Sequence, residues 1–309
     1  MNGYFSALPG EGLLHIAGPD TLTFLQGQTT CDTRKLSATQ ALPGAYCTAQ
    51  GRMVCDFLLV QLDAEHVALR MRRDILDTAA ATLGKFIVFS KAKIDIARDD
   101  WRAFGCWGED APGVLSDVVG SEPGSEDYAA ASAPGIVAVR APGAEIAFEV
   151  FIDTQNHAEL VATLRERLQA GDESQWRALQ MRAGVARVEA ATSGEFIPQL
   201  FNYDLTGHVS FNKGCYTGQE IVARLHYRGK PKQRAYLAEV ATGETPAPGS
   251  KLYTDGLGAS TGEIVNSVQV DGKALCLAVA TGPGVAGGLL LGEGGPAMTL
   301  LQLPYALPE

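Results

Sequence analysis

This chain has no CxxC pair, no HExxH, no Walker-type phosphate loop and no apolar run long enough to cross a bilayer. Each absence removes a class of function. Six scattered cysteines, at 31, 47, 55, 106, 215 and 276, give neither a disulfide framework nor a zinc knuckle, so they read as reduced thiols. No clustered ligand set suggests a metal. Charge is scarce at 19% of residues, and the net charge of -10 argues against coating nucleic acid by bulk attraction. Direct nucleic-acid binding is therefore not expected. The start, MNGYFSALPGEG, carries neither a secretory nor a transit pattern, which makes a cytoplasmic, soluble monomer the expectation.

What is present is apolar residues and turn formers. At 309 residues and 46% apolar the chain is long for one domain. Its first 110 residues alternate strand and helix signals: a strand at GLLHIAG, a helix from Asp20 through TLTFLQGQ, a hairpin in AYCTAQGRMVCDFLLVQ turning at Gln50-Gly51, a strand at HVALRM, a helix over ILDTAAATLGKF and a strand at AKIDIA. Residues 109 to 135 carry six acids, no Lys or Arg, and several Gly and Pro breakers, and read as a surface excursion. A second α+β unit, 136 to 230, follows with strands IVAVR and EIAFEVFI and helices near 156 to 169 and 174 to 183. From 231 to 309 the pattern is short strands without helical period, as in a small barrel or sandwich.

Two familiar motifs fail on context. Gly258 to Gly262 matches GxSxG, but no histidine follows His226, so the segment reads as a turn. Gly282 to Gly287 matches GxGxxG, yet only 22 residues remain for the rest of a dinucleotide fold, so it reads as a loop.

The segment FNKGCYTGQEIVAR, Phe211 to Arg224, is more informative. Thr217 and Glu220 have capping-box spacing, which puts Cys215 just ahead of a helix N-terminus and near Lys213. Both the helix end and the lysine would favour the thiolate, whereas a buried structural cysteine would be inert. The two readings stay open here. Gly214 and Gly218 permit close approach of backbone or ligand. Downstream, Arg224, Arg228, Lys230, Lys232 and Arg234 concentrate positive charge that could hold a carboxylate tail or phosphates, or simply form a solvated hinge.

The run Lys213-Gly214-Cys215-Tyr216-Thr217-Gly218-Gln219-Glu220 resembles the signature of the YgfZ family of folate-binding proteins. Phe24 to Thr29, Lys85 to Lys91, Gly194 to Gln199 and Arg224 to Arg228 are similar to further family segments in family order. The family is in turn similar to the T-protein of glycine cleavage, the tetrahydrofolate-dependent aminomethyltransferase. The resemblance implies an α+β fold of three domains in a ring, with tetrahydrofolate or a one-carbon derivative in a central channel and a role for iron-sulfur enzymes, including tRNA-modifying ones. It implies Cys215 as the working thiol, Lys213 as its tuner, and Asp56, Glu195, Gln219, Glu220, Arg224 and Arg228 as folate contacts. One departure bears on mechanism: where T-proteins carry paired acids, this chain reads Gly51-Arg52-Met53-Val54-Cys55-Asp56. Asp56 could bind a folate nitrogen, as a folate-dependent one-carbon transferase would need, or be an ordinary outward carboxylate.

Overall fold

The structure, a computed structural model, describes residues 2–63, 66–256 and 258–308. The first sheet has five strands in the order Leu42–Cys47, Met53–Gln61, His66–Arg72, Glu11–Ala17, Lys93–Asp95, all antiparallel. Its hairpin turns at Gly51, whose φ of +74° suits glycine. Helix Leu76–Gly84 covers it through Leu76, Ala79 and Leu83. Helix Thr21–Gln28 starts after Asp20, but the Asp20 carboxylate does not cap it and instead accepts from the Lys91 N–H at 2.7 Å.

The second sheet is ordered Gln169–Ala170, Gly3–Ala7, Trp101–Gly108, Ala147–Asp153, Ile136–Arg140, Ala130–Ala133. The expected division at residue 110 cuts through it. Gly3–Ala7 and Trp101–Gly108 are two of its four inner strands, because the chain crosses from this sheet to the first at Leu8-Pro9-Gly10 and returns after Asp95. Strand periodicity reports which face is buried and carries nothing about which sheet a strand joins. The excursion expected over 109 to 135 is likewise built in. Helix Ala111–Val119 buries Ala111, Val114, Leu115 and Val119 and ends at Gly120 (φ +82°), and Ala130–Ala133 forms the sheet edge. Its acids sit on the outer side of an apolar stripe.

Helices Ala158–Arg167 and Glu173–Arg182 complete the second unit, the latter capped reciprocally by Asp172 and Gln175. Beyond Arg182 the chain turns to the first sheet. The Met53 N–H donates to the Phe196 carbonyl and the Gly194 N–H to the Met53 carbonyl, each at 2.7 Å. The signature segment, expected in the second unit, therefore packs on the first.

Six strands form the third sheet, ordered Leu290–Leu291, Lys251–Tyr253, Gly262–Val270, Lys273–Thr281, Gln233–Val240, Met298–Leu301, and curl as a small C-terminal barrel. Asp271 (φ +48°) and Gly272 (φ +80°) make the tight hairpin between its two longest strands. Ser260 is a turn residue, donating to the Leu252 and Gly262 carbonyls at 3.1 and 2.9 Å. Gly282–Gly287, expected as loop, is a six-residue helix capped by Thr281. One apolar core joins the first sheet, Val188, Phe201 and Val222, and the inner barrel face at Leu237, Val265 and Leu277.

Candidate functional site

Strand Met53–Gln61 alternates so that Cys55 enters the apolar core while Asp56 points to the pocket where the two α+β sheets meet. Asp56 is buried, not outward-facing. Its Oδ2 accepts from Arg187 Nε at 2.5 Å and its Oδ1 from the Val188 N–H at 2.6 Å. Arg187 also reaches Glu11 at 3.2 Å, Glu11 takes Arg72 at 2.9 Å, and Glu149 takes Arg70 at 2.6 Å. The barrel positions this cluster through Asn266, which accepts from the Arg187 N–H at 2.7 Å and donates to its carbonyl at 2.9 Å. All three units thus meet at Arg187.

The environment separates two carboxylates of similar intrinsic acidity. Burial pushes Glu11 up, but the guanidiniums of Arg187, Arg70 and Arg72 outweigh it and hold that carboxyl down to about 2. Burial wins at Glu149 and raises it, with Arg70 opposing. His208, also at the pocket, is driven down to about 3 by burial and is stacked on Tyr203 with ring centres 4.0 Å apart.

The pocket, about 410 Å³ counted to its open mouth but with free room for little more than a water molecule, is lined by Asp56, Arg70, Tyr128, Glu149, Arg187 and His208, with apolar walls from Phe57, Leu58 and Val139. Glu149 Oε1 lies 2.5 Å from Arg70 Nε but out of line for a hydrogen bond, so both atoms are buried without a hydrogen-bond partner in the protein. Glu149 and Arg70 thus face each other in a two-point ion pair among aromatic and apolar walls.

Cys215 lies in a different setting. It is exposed, whereas the other five cysteines are buried. Lys213, expected to tune it, is buried, and its Nζ donates to the carbonyls of Gln26, Thr29 and Cys31 at 2.8, 2.6 and 2.7 Å. These are groups at the C-terminal end of helix Thr21–Gln28 and just beyond, where a cation is favoured. Burial lowers its amine to about 8. The lysine pins the segment and is not directed at the thiol. The capping box does not form either. Gly218 (φ +82°) is the cap of helix Gln219–Arg228, no side chain caps it, and Thr217 pairs with Gln28 at 3.1 Å. A side chain at Gly218 would put Cβ 2.4 Å from the Thr48 carbonyl oxygen, so this glycine is what lets the segment lie against the hairpin turn.

Glu195, Gln219, Glu220, Arg224 and Arg228 do not line the central pocket, whose own cations are Arg70, Arg140 and Arg187. Helix Gln219–Arg228 carries Arg224 and Arg228 on its exposed side. Arg234 leaves the basic patch altogether, buried in an ion pair with Asp204 at 2.7 Å. Glu11, Arg70, Glu149 and Arg187 escaped sequence reasoning, because they come from four distant segments. A signal existed for Arg187: an arginine inside the apolar run Val185-Ala186-Arg187-Val188 needs a buried partner.

The architecture defines a T-protein-like fold. It superposes on the glycine cleavage system aminomethyltransferase T from Bartonella henselae with a TM-score of 0.76 at 17% identity, over 99% of this chain and 86% of that one. The sequence is 34% identical over 309 residues to the tRNA-modifying protein YgfZ of Yersinia pestis (strain Pestoides F), covering 98% of this chain and 92% of the relative. The YgfZ protein of Yersinia enterocolitica is 33% identical with the same coverage. The chain belongs to the YgfZ family. No family model matches it.

Proposed function

We propose that this protein binds tetrahydrofolate, or a one-carbon derivative of it, in the pocket of Asp56, Arg70, Glu149 and Arg187, and supports iron-sulfur enzymes of tRNA modification in the cytoplasm through Cys215. The carrying observation is the exposure of that one thiol in a rigidly anchored segment, while five others are buried. The Yersinia relatives named tRNA-modifying proteins support the process, and the aminomethyltransferase fold supports the ligand. In the pocket Glu149 would face the heterocycle and Arg70 would balance its charge, while Asp56 would hold Arg187 in place. Folate would supply a site for carrying one-carbon units. Aminomethyl transfer is the weaker reading, because both oxygens of Asp56 are already held by Arg187 and Val188.

Titration calorimetry with tetrahydrofolate tests the ligand. Saturable binding is expected, with stabilisation of about 2.7 kcal/mol at a hundredfold excess over Kd. Glu149→Gln should weaken binding and Cys215→Ser should not. Absence of both heat and thermal shift with tetrahydrofolate and its formyl and methylene forms would overturn the assignment.

A further inference from the structure

Away from the central pocket, a cleft of about 1590 Å³, counted to its open mouth, separates helix Ala158–Arg167 from the first unit. It exists because strand Gly3–Ala7 stops pairing at Ala7 opposite Phe104. The Leu8 N–H makes one last bond to the Ala103 carbonyl at 3.1 Å before Pro9 and Gly10 carry the chain away. The strand edge at Trp101 is left beside open space. One wall is the helix face of Ala158, Val161, Ala162 and Arg165, spaced i, i+3, i+4, i+7. Only Leu164 of that helix is fully buried; Val161 is half-buried against the second unit's core, and Ala158, Ala162 and Arg165 are exposed. Leu13, Leu76 and Trp101 face this wall.

The charges in the cleft divide into committed and free. Arg73 donates to the Pro9 and Glu11 carbonyls at 2.7 and 2.6 Å, Arg98 holds Asp100 at 2.7 Å, and Asp99 takes Gln155 at 2.9 Å. Glu11 is consumed by Arg72 and Arg187. The side chains of Arg102 and Arg165 have neither an ion pair nor a hydrogen bond among the described residues. Arg73 and Asp99, held only by neutral groups, offset each other in charge, which leaves the guanidiniums of Arg102 and Arg165 as the excess at the cleft, in a protein whose net charge is -10.

We propose that this cleft is a binding site for an amphipathic anion, an acyl or aromatic carboxylate. Its apolar body lies against Val161, Leu13, Leu76 and Trp101, and its charged end meets Arg102 and Arg165. The site is independent of folate binding.

Anilinonaphthalene sulfonate, an aromatic anion that brightens out of water, serves as the probe, with dodecanoate, dodecanol and inorganic phosphate as competitors. Saturable binding at one site per chain is expected, displaced by dodecanoate and far less by dodecanol or phosphate. The double variant R102Q/R165Q should weaken dodecanoate by about tenfold or more, the loss of charge-assisted bonds. V161D should do the same by placing a like charge on the wall. Saturating tetrahydrofolate and the C215S variant should leave it unchanged. Binding unaffected by R102Q/R165Q, displacement by phosphate equal to that by dodecanoate, or no saturable binding would each overturn the proposal.

Discussion

The signature segment and the central ion cluster are built on opposite plans. Lys213 to Gly218 is contiguous in sequence, presents its thiol to solvent, and is fixed from beneath by one buried amine and one left-handed glycine. The cluster gathers Glu11, Asp56, Arg70, Glu149 and Arg187 from across the chain and shields them all from water. Removing a buried partner leaves an uncompensated charge, whereas removing an exposed thiol leaves almost nothing unsatisfied. Stability should therefore reside in the cluster, and chemistry toward partners in the segment.

The sharpest way to break this contrast is Arg187→Met. Asp56 and Glu11 would lose a shared cation, and a loss of about 3–5 kcal/mol is expected from urea unfolding. A loss under about 1 kcal/mol would show that the pairs are not what holds the units together.

Acid should weaken the cluster as well. Glu11 is held at about 2, below the ordinary 4.5, so its stabilisation is present above 4.5 and lost as pH falls toward 2. His208 is held neutral by burial down to about 3, below the ordinary 6.5, so the unfolded chain binds the extra proton and stability declines from 6.5 toward 3. Both signs agree, while Glu149, raised by burial, takes up its proton earlier in the folded chain and opposes them above 4.5, so melting temperature should fall most clearly below about pH 4.5. In Glu149→Gln, where that opposition is gone, a flat profile from pH 6.5 to 4 would contradict the buried assignment of His208.

Lys213→Met should cost less, about 1–3 kcal/mol, since three carbonyls lose a donor but lie near a surface segment. The depressed amine adds a pH signature. Between about 8 and 10.5 the unfolded chain binds the extra proton, so the wild type should gain stability over the variant as pH rises through that window. An unchanged difference would mean that the amine is not desolvated.

How much of this could be read from the chain follows the same division. The strand at GLLHIAG, the hairpin at Gly51 and the helix after Asp20 were visible because period and turn chemistry are local. So was Cys276 as a core thiol, which burial raises to about 12. The division at residue 110 failed because Gly3–Ala7 joins the sheet of Trp101–Gly108 over a hundred residues away. Lys213 is legible as part of the motif, but its neighbours are not. Adjacency in sequence suggested Cys215, whereas the fold supplied the carbonyls of Gln26, Thr29 and Cys31. Asp56 was legible as a candidate, but Arg187, which holds it, was not.

The smallest stability effect belongs to Cys215→Ser, within about 0.5 kcal/mol of the wild type, against a clear loss for the buried Cys276→Ser. Equal losses would erase the contrast between the two regions.

The central claim is tested most directly by the same Cys215→Ser chain, assayed in one strain background for tetrahydrofolate affinity and for iron-sulfur-dependent tRNA modification. Modification should drop to the level of cells lacking the protein while folate affinity and melting temperature stay at wild-type values. Full modification with the thiol gone, or loss of modification and folate affinity together, would contradict the account.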